Sequence, residues 1–126
     1  MNQAIYQTIF DKLQNYLPEK WNKLVFYAGY TDGSYSMKYF VKNGDGAYVD
    51  CFSLQGVNRS ELIKLFIDIN KDLAAERENL DLKHKWTVFT MVVDQFGKMR
   101  TEFDYTDISE NSIAYEQDWK KRYLVI

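Results

Sequence analysis

A chain of 126 residues with 46% hydrophobic and 27% charged side chains is expected to fold as one globular domain spanning residues 1–126. Its net charge of −2 and pI near 5.4 argue against broad electrostatic binding to nucleic acid. One cysteine rules out an internal disulfide, and neither a membrane span nor a secretory signal is legible, so a soluble cytoplasmic protein is expected.

Ile5, Tyr6, Ile9, Phe10, Leu13, Tyr16 and Leu17 recur at three- and four-residue intervals, which predicts an amphipathic helix ending near Tyr16, before Pro18. Trp21 lies in a short connection to a strand over Lys23 to Tyr30. Asp32-Gly33 supplies the positive φ angles of a tight hairpin, and a second strand runs from Tyr35 to about Val41. A turn at Asn43-Gly44-Asp45-Gly46 leads to a third strand over Ala47 to Leu54. Three strands joined this closely form an antiparallel meander.

Asn58 can cap a second helix, with Glu61 reaching back as in a capping box. Leu62, Leu65, Phe66, Ile69 and Leu73 mark its inward stripe, and it ends around Glu78 to Leu80. Lys85 to Val93 reads as a fourth strand and Met99 to Tyr105 as a fifth, joined by a turn at Asp94 to Lys98. In the fifth strand Arg100, Glu102 and Asp104 alternate with Thr101, Phe103 and Tyr105, which predicts one wet face. Tyr115, Trp119 and Tyr123, four residues apart, form the stripe of a short C-terminal helix. The expected class is α+β, in the order α-βββ-α-ββ-α, with helices packed on an antiparallel sheet of about five strands.

Chemistry-bearing residues are few. His84 is the only histidine and sits among Lys83, Lys85 and Trp86, so it reads as an ordinary surface residue. Cys51 falls inside the third predicted strand and reads as a buried thiol. The Asp32-Gly33 and Asn43 to Gly46 segments lack the lysine of a phosphate loop and the ligand spacing of a calcium loop, and hairpin turns account for them. No catalytic residue, metal ligand or cofactor is therefore assigned.

The last third differs. Glu102, Asp104, Asp107, Glu110, Glu116 and Asp118 are six carboxylates in a stretch without Lys or Arg, whereas residues 1–93 hold 11 acids and 11 bases. Phe103, Tyr105, Tyr115 and Trp119 are interleaved with them. Three readings stay open: a solvated face, an acid/base or magnesium-holding set in a small metal-dependent hydrolase, or a surface for a basic protein partner. The aromatics favour the last, because hot spots combine aromatic anchors with a charged rim. The residues assigned to it are Glu102, Asp104, Tyr105, Asp107, Glu110, Tyr115, Glu116, Asp118 and Trp119.

Several spaced segments carry a family resemblance. They are Leu17-Pro18-Glu19-Lys20-Trp21-Asn22-Lys23, Ala28, Asp32-Gly33, the aromatic strand Tyr35 to Val41, and Leu73-Ala74-Ala75-Glu76-Arg77. Trp86-Thr87, Gly97, Phe103-Asp104-Tyr105-Thr106-Asp107-Ile108, Tyr115-Glu116 and Trp119 to Leu124 complete the set. In these the chain resembles the YezG-like family of bacterial immunity proteins, antitoxins encoded beside secreted polymorphic toxins of the LXG type, whose C-terminal domains are often nucleases. It looks shorter than many members after the third strand and beyond the final helix. The resemblance implies a non-enzymatic antitoxin whose partner is a cognate toxin C-terminal domain. The family brings no catalytic signature, so the site assignment rests on the acidic and aromatic residues themselves.

Overall fold

The computed structural model describes residues 3–44 and 46–124. They fall into two compact units. One takes in the first helix and Phe52–Lys85; the other takes in Lys20–Cys51 and the chain from Trp86 onward.

In the first unit, α1 (Gln3–Gln14) buries Ile5, Ile9, Phe10 and Leu13, the stripe set by its four-residue spacing. It stops two residues before Tyr16, where tight turns follow (Tyr16 N to Leu13 O, 2.9 Å; Leu17 N to Gln14 O, 3.3 Å). The longer α2 (Arg59–Glu78) starts at Asn58, whose side chain accepts from the backbone N–H groups of Ser60 and Glu61 at 2.8 and 3.3 Å. That is the asparagine half of the expected capping box. Leu62, Leu65, Phe66, Ile69 and Leu73 are buried as the periodicity predicts. Lys12 of α1 reaches Asp72 (2.6 Å) and Asp68 (3.2 Å) of α2, so an ion triad joins the two helices. His84 is exposed and meets its near neighbour Asp81, at 2.8 Å.

The second unit is a five-stranded sheet of β1 (Lys23–Thr31), β2 (Ser34–Lys42), β3 (Val49–Asp50), β4 (Val88–Asp94) and β5 (Met99–Asp104), with α3 (Ser112–Tyr123). Its order is β3-β2-β1-β4-β5, with every pairing antiparallel. The expected α+β class and element order are thus found. Gly33, at φ 79°, makes the two-residue β1–β2 turn possible. Centrally placed, β1 is buried continuously from Leu24 to Tyr30.

The third strand is much shorter than the Ala47 to Leu54 expected. Only Val49 and Asp50 pair, with Val41 and Phe40, and the chain then turns through a 3-10 segment at Cys51–Ser53. A strand at the edge of a sheet has one neighbour to hold it, and two residues suffice before the chain leaves the sheet. Cys51 is fully buried in that turn rather than in a strand.

Strand register divides the sheet's side chains between two faces. Phe26, Phe89, Phe103, Trp86 and Tyr30 form a chain of aromatic contacts on one of them, with centroids 5.4–6.2 Å apart. The other face carries Val25, Tyr27, Phe40 and Val88, and α3 lies on it through Trp119. The Trp119 ring is 4.9 Å from Tyr27 and 5.7 Å from Phe40, centroid to centroid.

Candidate functional site

Glu102 and Asp104 are on the α3 face of β5, opposite Thr90 and Val88 of β4. The alternation in β5 is present, but the face expected to be wet is the one α3 covers. Three residues of the helical stripe make parallel attachments to it. Tyr115 donates its hydroxyl to Asp104 at 2.5 Å, Trp119 Nε1 donates to Thr90 Oγ1 at 2.9 Å, and the Tyr123 hydroxyl donates to Glu102. A stripe with a four-residue period therefore carries a polar tip on each ring, and each tip finds an acceptor on the sheet. The polar cleft between α3 and β5, about 280 Å³, is lined by Thr90, Glu102, Asp104, Tyr115 and Tyr123.

Asp104 is the most constrained of the carboxylates. Burial pushes its pKa up. The hydrogen bonds from Tyr115 and from the Thr106 backbone and hydroxyl (2.9 and 2.8 Å) outweigh that and hold it below the usual carboxylate value. Arg122 approaches it to 4.0 Å. In return the Tyr115 hydroxyl is driven well above the ordinary phenol value, first by burial and then by donation to Asp104. Glu102 is also engaged, 3.2 Å from Arg100. Glu116, half-buried on α3, meets Lys38 of β2 at 3.2 Å.

The charge balance of the segment thus changes in three dimensions. Three of its six carboxylates meet bases from outside the basic-free stretch: Arg100, Lys38 and Arg122. Asp107, Glu110 and Asp118 remain exposed, without an ion pair among the described residues. Asp107 accepts from the Ser109 backbone N–H at 3.0 Å, which holds its carboxyl below the usual value and shapes the loop. Two apolar side chains stand out beside them: Tyr105, 56% exposed, just after β5, and Ile113, 77% exposed, in the first turn of α3. Sequence reasoning passed over Ile113. Its signal is an isoleucine outside the Tyr115-Trp119-Tyr123 stripe of the same helix.

Trp119, by contrast, is 1% exposed and surrounded by Tyr27, Phe40 and Tyr123, so its ring belongs to the core and not to a surface. Tyr115 is half-buried with its hydroxyl engaged. What the geometry leaves exposed is the loop Tyr105 to Glu110, its buried Ile108 apart, with Ile113, at the end of the sheet that holds the β1–β2 turn. Strand register fixes that end, because Val88 pairs with both Gly29 and Asp104. Among the described residues no group of three or more His, Cys, Asp or Glu side chains is placed to hold a metal ion. No described helix is long and apolar enough to cross a membrane.

Comparison with known proteins gives this surface its context. The immunity protein YezG of Bacillus subtilis (strain 168) is 25% identical over 133 residues, covering 98% of this chain and 83% of its own length. The family model described as "Immunity protein YezG-like" matches residues 2–125. With a match running almost end to end, the chain belongs to the YezG-like family of immunity proteins.

Proposed function

We propose that this protein is the immunity partner of an LXG-type polymorphic toxin, binding the toxin's C-terminal nuclease domain in the cytoplasm and neutralising it stoichiometrically, as a single 126-residue domain. The observation that carries the proposal is the loop from Tyr105 to Glu110. It presents Asp107 and Glu110, free of cations among the described residues, beside the exposed Tyr105 and Ile113. Carboxylates at a rim around apolar anchors complement a basic surface of the kind a nuclease uses on phosphates. Occluding that surface blocks substrate without any chemistry by the inhibitor.

The hydrolase reading finds less support. Glu102, Asp104 and Glu116 are engaged by Tyr123, Tyr115 and Lys38, which favours their holding α3 over acid/base work. Family membership and the name of the Bacillus relative both support the antitoxin reading. It is tested by co-expressing this chain with the active C-terminal domain of the toxin encoded beside its gene. Restored growth together with co-purification of the two chains is expected. Growth arrest with no complex would refute it.

A further inference from the structure

Between the tip of the β1–β2 hairpin and the start of α3 lies an open cavity of about 110 Å³, walled by Tyr27, Gly29, Ile108, Ser112, Ile113 and Glu116. Drug-sized ligands occupy roughly 300–1,000 Å³, so this hollow suits the end of one side chain rather than a substrate or cofactor.

Its floor is built around a glycine. A Cβ on Gly29 would come within 2.6 Å of the Tyr27 hydroxyl, so the missing side chain is what lets Tyr27 extend along the strand over residue 29. Tyr27 is pinned from above by Trp119, and its phenol is pushed up to about 12 by burial and then by the charge of Glu116. Glu116 Oε1 is shielded from solvent, with Lys38 at 3.2 Å, and accepts no hydrogen bond among the described residues. A carboxylate can accept about four hydrogen bonds, so this one keeps unused acceptor capacity beside a phenol. Ile108 lines the wall, and the exposed Ile113 stands at the mouth.

We infer that this cavity receives one arginine side chain from the protein partner, its guanidinium donating to Glu116 and Tyr27 and its aliphatic stem lying against Ile113 and Ile108. Arginine fits better than lysine, because a planar fork can donate to two acceptors at once while its stem packs on apolar surface. The inference rests on the immunity reading and deepens it. The neighbouring loop carboxylates bring a basic partner close, and the cavity then locks one of its side chains in place.

The test has two arms. Ethylguanidinium chloride, titrated into the free protein against sodium chloride of equal ionic strength, should shift the amide resonances of Gly29, Ser112, Ile113 and Glu116. The shifts should disappear in Glu116→Gln. Changes spread over the whole surface, or kept in Glu116→Gln, would overturn the inference. In the second arm, affinity is measured for the adjacent toxin's C-terminal domain, inactivated at its catalytic centre. Glu116→Gln should weaken binding about tenfold or more. Lys38→Gln, which frees the same carboxylate from its internal cation, should bind as tightly as the wild type or more so. If the Lys38–Glu116 pair were only structural, both variants would weaken binding in proportion to their loss of Tm, and the inference would fall. A wild type that neither binds nor protects refutes the immunity reading itself, and the cavity's role falls with it.

Discussion

The Tyr115 hydroxyl and the Asp104 carboxylate, eleven residues apart in sequence, meet at 2.5 Å and fasten α3 to the edge strand of the sheet. That contact changes what the acidic segment means. A residue that reads as part of a charged surface is a docking point for a helix, and the partner surface we propose lies on the loop beyond it.

Tyr115→Phe keeps the ring and removes the donor, so it isolates this bond. It should cost about 1.5–3 kcal/mol, the range for a hydrogen bond to a charged group. Tyr123→Phe should cost less, because its acceptor Glu102 is more exposed than Asp104. Urea unfolding of the two variants gives the comparison. Equal costs, or none for Tyr115→Phe, would contradict the assigned roles.

The pH dependence follows from the sign of the shift at Asp104. Its carboxyl is held below the ordinary value, so the folded state binds fewer protons than the unfolded state between the two pKa values. Stability from this group is fully present above about pH 4, the unfolded value, and is lost as pH falls through the lower folded one. The stability difference between wild type and Asp104→Asn should therefore be constant from pH 5 to 7 and shrink below pH 4. Unfolding midpoints measured across pH 3–7 check this; a difference that grows on acidification would reverse the sign.

Trp119 separates a structural role from a binding role. Trp119→Ala empties a fully buried site and removes the indole donor to the Thr90 hydroxyl, so a loss of about 3–5 kcal/mol is expected. Trp119→Phe should recover part of it. For protein that remains folded, toxin affinity should fall less than stability does. Full stability with abolished binding would place the ring at the interface after all.

Much of the fold was legible because it is local. The stripe Leu62, Leu65, Phe66, Ile69, Leu73 follows from period alone, and Asp32-Gly33 makes a hairpin by its own backbone preference. The short third strand was not legible: how many residues of Ala47 to Leu54 pair is decided by where β2 offers partners, and only Phe40 and Val41 do. The site was less legible than the fold. A run without Lys or Arg is a statement about sequence neighbours, whereas Lys38 comes to Glu116 from 78 residues away. Likewise, a stripe of Tyr115, Trp119 and Tyr123 shows that a helix has a buried side, but not that the hydroxyls on it reach Asp104 and Glu102.

This bears on which charges to reverse. Asp104→Lys places a cation beside Arg122 and removes the acceptor of Tyr115, so it should destabilise the fold. Asp107 and Glu110 are exposed and free of cations among the described residues. Glu110→Lys is a plain surface change and should leave stability nearly untouched, whereas Asp107→Lys also removes the acceptor of the Ser109 backbone N–H and should account for most of whatever small loss the double variant shows.

The measurement that tests the account most directly is the association rate of the Asp107→Lys, Glu110→Lys variant with the toxin's C-terminal domain, at low and at physiological salt, beside the wild type. An acidic surface steering a basic partner predicts roughly tenfold or more slower association at low salt, a much weaker dependence on salt, and loss of growth rescue, with only a small loss of Tm. If the variant associates at the wild-type rate at both salt concentrations and still protects cells, the loop from Tyr105 to Glu110 is not the neutralising surface.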